Sequence, residues 1–212
     1  MFDSEKPQVY EKVFQELSQD LAKADFSRAA QNLGLVQTEQ GLLIPLLGHE
    51  YLVGKDQITG PDTGTPPINH RIVLVHLVLI SGRGEVARRF VPYRELPGGQ
   101  DFARSLAQLV ETPLAAHFSG RLNALFQAAE KLHAEAAPPE VRADAAFQFQ
   151  ALPKLPMMLT FYDADEDFGA ECKVFYDLTA PNFLDLECLA ALSGILTYEL
   201  IRADKNETRK KL

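Results

Sequence analysis

The segment AFQFQALPKLPMMLTFYDADEDFGAECKVFY, residues 146–176, decides the fold. From residue 146 to 150, aromatic side chains alternate with amide side chains, as they do in a strand with one buried face. Apolar and β-branched residues recur at 157–162 and 171–176, on either side of a polar turn at 163–169. The spacing therefore predicts a three-stranded antiparallel unit.

A helix is predicted directly after this unit. Asp185 is a favourable helix N-cap, and apolar residues follow it at three- and four-residue steps. The expected buried stripe consists of Leu189, Leu192, Leu196 and Leu200. Residues 204–212 are mostly charged, so we expect a disordered tail there and a folded domain over residues 1–203.

The first part of the chain predicts two helices and a small strand meander. Apolar residues between Tyr10 and Ala24 lie on one helical face, and a second helix is expected to end at Gly34. Short apolar runs between Leu35 and Val53 are separated by turn residues. The glycine- and proline-rich residues 54–67 are expected to form a loop.

Two helices are predicted in the middle of the chain. Asp101 is expected to cap the first, with Phe102, Leu106 and Leu109 on its apolar face. Thr112-Pro113 is expected to open the second, because proline is favoured at the first helical position. Its stripe would comprise Leu114, Phe118, Leu122, Leu125, Ala129 and Leu132.

These elements predict a single-domain α+β fold. The meander and the strands of residues 145–176 would form one antiparallel sheet, covered by the helices of the N-terminal, middle and C-terminal parts. Residues 71–80 fit either a buried strand or a helix, and their periodicity does not decide between the two.

Composition excludes several classes of protein. The chain has 212 residues and a formal net charge of −8, which disfavours nucleic acid and anionic membranes as partners. Its two cysteines do not form a disulfide framework or a zinc-site spacing. The N-terminus lacks the layout of a signal peptide, and the longest apolar run is too short to span a bilayer. We therefore expect a soluble, cytoplasmic protein.

The sequence RELPGG, Arg94 to Gly99, is the most site-like segment. Arg94 has the geometry to bind a carboxylate or phosphate, with Glu95 beside it, and the backbone of Gly98 and Gly99 can approach a ligand closely. The alternative is an Arg–Glu pair that closes a rigid turn.

Two further ligand-binding candidates lie outside that segment. Lys154, between two prolines, suits either a ligand contact or a stiff surface turn. His76 interrupts an apolar run, so its ring must find a partner or stay neutral.

The acidic turn at residues 163–167 is the candidate metal site. Asp163, Asp165 and Glu166 provide closely spaced carboxylates, which suit a hard cation such as calcium or magnesium. A solvated hairpin turn explains the same residues. No motif in the sequence specifies a cofactor.

Several segments together resemble a known family. They are LVHL (74–77), FVPYRELPGG (90–99), LPKLP (152–156), FYDADEDF (161–168) and FYD (175–177). Their order and spacing resemble those of a family with a domain of unknown function, common in anaerobic bacteria and archaea. The resemblance covers residues 10–202.

The resemblance implies a helix at residues 69–81 but no catalytic residue. Some relatives carry an additional cysteine-rich iron–sulfur domain of the kind found in corrinoid one-carbon metabolism. This chain has no four-cysteine cluster motif, so the resemblance implies at most an indirect iron–sulfur role.

Three functions remain open from the sequence. The first is a non-enzymatic accessory or small-ligand-binding protein of anaerobic metabolism. The second is an enzyme for a small anionic substrate, using Arg94 and the carboxylates of Asp163–Asp167. The third is a scaffold for a protein partner.

Overall fold

A computed structural model describes residues 7–210 of the protein and the side chains of residues 9–205. Its strands form two antiparallel sheets. The smaller sheet has the order β1-β2-β3-β4, with β1 Val36–Gln37, β2 Leu42–Leu46, β3 His49–Val53 and β4 Ile58–Thr59. The larger has the order β5-β9-β8-β7-β6, with β5 Phe90–Pro92, β6 Glu135–Ala136, β7 Ala145–Leu152, β8 Leu155–Tyr162 and β9 Glu171–Asp177.

The large sheet confirms the three-stranded unit predicted from residues 146–176. β7 pairs with β8 and β8 with β9 in antiparallel registers, for example Phe147 opposite Leu159 and Leu159 opposite Val174. The β7–β8 register shifts once, between Gln150 and Leu152. Side chains of β7 alternate between buried and partly exposed positions, as the sequence pattern predicted. The edge strands β5 and β6 are too short for their patterns to be recognised.

The prediction that the meander joins this sheet was wrong. The edge strands of the meander, β1 and β4, have two residues each, so they offer no edge long enough to extend another sheet. The Leu47 amide donates to the carbonyl of Ala151 at 3.0 Å, which ties the turn after β2 to β7. The α+β single-domain class is confirmed, with two sheets instead of one.

The helices confirm most of the predicted helical segments. They are α1 Pro7–Leu21, α2 Phe26–Leu33, α3 Ile68–Ile80, α4 Ala103–Leu106, α5 Thr112–Phe118, α6 Leu122–Lys131 and α7 Leu186–Lys210. Gly34 ends α2 in the left-handed conformation, with φ of 70°. Asp185 caps α7, because its Oδ1 accepts from the Cys188 amide at 2.7 Å.

The middle helices differ from their predictions. Phe102 and Leu109 are exposed, and the cap residue of α4 makes no side-chain hydrogen bond. Thr112 opens no new helix, because a π-helical segment, Ala107–Glu111, joins α4 to α5 without a break. The wider turn lies where the Pro113 ring would otherwise meet a carbonyl of the preceding turn.

The stripe predicted from Leu114 to Leu132 belongs to two helices. Gly120, with φ of 68°, separates α5 from α6. Only a residue that tolerates the left-handed region can form this break easily, so the two helices change direction here despite a shared apolar pattern.

The C-terminal helix extends beyond the predicted domain boundary. α7 continues to Lys210, although we expected the folded domain to end at residue 203. Asp204 is buried and contacts His117 and Arg121, both at 2.9 Å. An ion-paired carboxylate therefore holds the first residue of the predicted tail against the domain. Residues 211–212 lie outside the described part.

The helix α3 lies at the centre of the helical layer. Val73, Leu74, Val75, Leu77 and Val78 are all buried, which is typical of a helix surrounded by protein. It packs against α1 and α7. The helix expected at residues 69–81 is therefore confirmed, and none of the described helices combines the length and apolar character needed to cross a bilayer.

Glu111, at the end of the π-helical segment, provides a hydrogen-bond acceptor for the backbone of β9. Its Oε1 accepts from the buried Val174 amide at 3.2 Å, and its Oε2 contacts Lys173 Nζ at 3.2 Å. Lys173 also contacts the exposed Glu171 at 3.0 Å. The two glutamates share one lysine, but only Glu111 bonds the β9 backbone.

This difference predicts different losses of stability. Glu111→Ala should lower the free energy of unfolding by about 1–3 kcal/mol, because a buried amide loses its acceptor. Glu111→Gln should cost less, since a carboxamide oxygen still accepts. Glu171→Ala is the matched control and should change stability by no more than about 0.5 kcal/mol. Urea denaturation measures all three, and equal losses for the two alanine variants would refute the role of the edge contact.

Candidate functional site

A polar cleft of about 290 Å³ lies beside the first turn of α3. It is bordered by β3, by the loop that precedes α3 and by the middle of α7. Gly60 accepts from the Thr63 amide at 3.0 Å and donates to the Gly64 carbonyl at 2.9 Å, which curls the loop into one wall. The titratable side chains that line the cleft are His49, Tyr51, Asp62, His70, Tyr198, Glu199 and Arg202.

Tyr51 and His70 form a buried pair in this cleft. The Tyr51 hydroxyl lies 2.9 Å from His70 Nδ1, and each residue is 5% exposed. Burial, followed by the positive charge of Arg202, lowers the pKa of His70 to about 4. Burial, followed by the negative charge of Glu199, raises the pKa of Tyr51 to about 12. Both groups are therefore neutral near pH 7.

Glu199 and Arg202 form the charged pair of the cleft. The Glu199 side chain is 9% exposed, whereas the Arg202 side chain is 51% exposed. Both Glu199 oxygens lie 3.2 Å from a single nitrogen, Nη1 of Arg202. Within the described part of the chain, Nε and Nη2 of Arg202 make no hydrogen bond. Two donors of the guanidinium fork therefore remain available at the cleft.

This arrangement combines an arginine fork, balanced by Glu199, with a neutral tyrosine–histidine pair. A guanidinium fork suits the two oxygens of a carboxylate or phosphate. A neutral tyrosine–histidine pair can donate and accept hydrogen bonds without adding charge, and which group carries the shared proton depends on the imidazole tautomer.

The predicted ligand residues lie elsewhere. His76 Nδ1 is 3.0 Å from Asp185 Oδ2, at the start of α7. The turn of Arg94–Gly99 is held beside the same helix start, because the hydroxyl of the preceding residue, Tyr93, donates to the Leu186 carbonyl at 2.8 Å. His76 and this turn are thus brought to the start of α7, whereas the cleft lies beside the middle of that helix.

The glycines of that turn are explained by packing. A Cβ on Gly99 would lie 2.0 Å from the Tyr93 carbonyl oxygen, and Gly98 adopts φ of 80°. The Gly99 amide donates to Leu96 within the turn, so it is not free for a ligand. Arg94 and Glu95 are exposed, and their ligand role stays a prediction.

Lys154 and the acidic turn lie at opposite ends of β8. Lys154 Nζ contacts Glu85 at 3.0 Å. In the acidic turn, Asp163 Oδ1 accepts from the amides of Gly120 and Ala164, and Asp165 Oδ1 accepts from those of Asp167 and Phe168. One oxygen of each aspartate is therefore occupied by backbone, Glu166 is exposed beside them, and a cation at this turn stays a prediction.

Sequence reasoning missed the cleft residues Tyr51, Glu199 and Arg202, and it treated His70 as an ordinary histidine. Their positions are distant in sequence, so no local motif joins them. One indication was present: residues 54–67 are rich in glycine and proline. The loop predicted there is interrupted by β4, but residues 60–67 do form a loop, and loops frequently carry binding residues.

Three described residues have donor atoms suited to a metal ion. Atoms of His76, Asp185 and Cys188 all lie within 4.8 Å of one another. Hydrogen bonding from His76 and from the Cys188 amide lowers the pKa of Asp185 to about 2, although partial burial opposes this shift. The carboxyl group is therefore ionised at neutral pH.

Comparison with known proteins gives a family but no relative of known activity. No curated protein and no solved structure matches the chain. The family model described as domain of unknown function DUF3786 matches residues 25–199. This range contains every segment on which the resemblance was based and all of the cleft residues except Arg202. Because the match spans most of its length, the chain belongs to the DUF3786 family.

Proposed function

We propose that this protein binds a small anionic molecule in the cleft formed by β3, α3 and α7. The observation that supports this most is the Arg202 fork, whose Nε and Nη2 make no hydrogen bond in the described part. Arg202 borders the cleft that contains the buried, neutral Tyr51–His70 pair. The fork would hold a carboxylate or phosphate, and the Tyr51–His70 pair would bond a polar group further in.

Binding without turnover fits this site better than catalysis. A histidine whose pKa is about 4 is a weak base near pH 7, and Tyr51 is a poor acid there. We infer that the protein serves as an accessory or ligand carrier. The resemblance to a family of anaerobes supports a place in anaerobic metabolism.

Catalysis at the same cleft is the second candidate. The Glu199 carboxylate is almost fully buried beside the Tyr51–His70 pair, where a general base for a bound substrate would be placed. An enzyme built on Arg94 and the Asp163–Asp167 carboxylates has less support. Arg94 belongs to the turn at the start of α7, whereas Asp163 contacts Gly120 and Asp144.

The first test compares two arginines as anion-binding groups. Arg202→Lys keeps the charge beside Glu199 but loses the fork, whereas Arg94→Lys makes the same change at the turn predicted from sequence. Small mono- and dicarboxylates and inorganic phosphate serve as probes, first by thermal shift and then by calorimetric titration. Arg202→Lys should weaken binding of the responding probe about tenfold to a hundredfold, since a charge-assisted hydrogen bond contributes about 1.5–3 kcal/mol.

Arg94→Lys should leave that affinity unchanged. An equal loss in both variants, or a loss confined to Arg94→Lys, would contradict a site at the cleft. Binding of none of the probes to the unmodified protein would contradict the proposed class of ligand.

The second test uses the neutral state of His70. Between pH 7 and pH 4.5 the unfolded chain binds a proton at this residue, with an ordinary pKa of about 6.5, but the folded protein resists doing so. The free energy of unfolding therefore decreases as the pH falls from 7 to 4.5. In His70→Asn the amide can still bond Tyr51, and no titration occurs. Over that pH range the free energy of unfolding of the unmodified protein should decrease by about 2 kcal/mol more than that of His70→Asn.

Urea denaturation at the two pH values gives this difference directly. His133→Asn, at an exposed position, controls for the loss of one imidazole. If the unmodified protein and His70→Asn lose stability in parallel, His70 is not buried in its neutral form.

A further inference from the structure

We propose that His76, Asp185 and Cys188 bind one divalent transition-metal ion of the zinc class. Their donor atoms all lie within 4.8 Å of one another. His76 comes from α3, and the other two residues come from the start of α7. No local spacing motif joins them, because 109 positions separate the histidine from the aspartate.

The helix cap leaves the metal-binding atoms available. Asp185 uses Oδ1 for the cap, accepting from the Cys188 amide at 2.7 Å. Its other oxygen, Oδ2, is directed to His76 Nδ1 at 3.0 Å. A metal bound between Oδ2 and the imidazole would replace that contact and keep the cap of α7 intact.

The donor set favours a borderline divalent ion. Imidazole nitrogen, carboxylate oxygen and thiolate sulfur together suit zinc and its neighbours, whereas calcium and magnesium prefer oxygen alone. Zinc bonds of about 2.0–2.3 Å place ligand atoms about 3.3–3.6 Å apart, so side-chain shifts of about 1 Å would close the site. Three protein ligands leave one position for water or another ligand.

The site is open to solvent at His76 and Asp185, whereas burial and the negative charge of Asp185 raise the pKa of the Cys188 thiol, so the metal must displace its proton. The His76 and Asp185 side chains are 25% and 45% exposed, while Cys188 is 4% exposed at the inner side. Glu187 adds a second carboxylate in the first turn of α7, which opposes the positive end of the helix dipole. On binding, the sulfur–metal bond forms as the S–H bond breaks, and the proton passes to solvent.

This site is separate from the cleft. Cys188 and Arg202 both belong to α7, and the helical rise between them is about 21 Å. The metal site therefore does not rest on the proposed function, and removal of its ligands should leave anion binding at Arg202 intact.

Cobalt is the probe that tests the proposal. The full chain, first treated with a chelator, is titrated with Co²⁺ and then with Zn²⁺. One equivalent of cobalt should produce a thiolate-to-cobalt charge-transfer band, and zinc should abolish it, because zinc binds such sites more tightly. Cys188→Ala should lose the band. Cys172→Ala, which removes the other buried cysteine, on β9, should keep it.

Asp185→Asn provides an independent arm, since asparagine caps helices as well as aspartate does. This substitution should weaken cobalt binding at least about tenfold. Removal of a residue that only hydrogen-bonds to a metal ligand already has an effect of that size, and removal of a ligand should cost no less. A band that survives Cys188→Ala, a band lost in Cys172→Ala, or no band in the unmodified protein would overturn the metal site. If the unmodified protein shows no band, the contacts among His76, Asp185 and Cys188 serve only to cap α7.

Discussion

The packing of α3 against α7 is the constraint on which the rest of the structure depends. The buried side chains of α3 include Val73, Leu74 and Leu77, and each contributes about 1.5–3 kcal/mol by leaving water. His70, near the start of α3, lies close to the middle of α7, whereas His76, further along α3, contacts the start of α7, so the two helices run in opposite directions. This pairing brings polar side chains from distant parts of the chain together at two separate places.

Elements defined by local chemistry could be predicted from the sequence. The left-handed Gly34 ends α2, Asp185 caps α7, and the period-two pattern identifies β7, because each depends on a few adjacent residues. The junctions between elements could not. Gly120 divides one continuous apolar stripe into two helices, and the separation of the two sheets depends on edge lengths that no pattern of side chains reveals.

The candidate sites were less predictable for the same physical reason. His76 was recognised because a polar ring in an apolar run requires a partner, yet its partner, Asp185, comes from another helix. The cleft joins residues that span Tyr51 to Arg202, so only tertiary packing shows that they are neighbours. Gly99 looked like a ligand-facing residue, but the close approach of the Tyr93 carbonyl accounts for it.

The π-helical segment Ala107–Glu111 has a consequence for chain length. A π turn accommodates one residue more than an α turn in an otherwise continuous helix. Because the π turn absorbs that residue, deletion of one residue within it would restore regular winding and leave α5 in nearly the same rotational phase. Deletion of one residue from the regular winding of α5 would instead rotate the helix beyond it by about 100°, so we expect the π turn to tolerate a one-residue deletion better than α5 does.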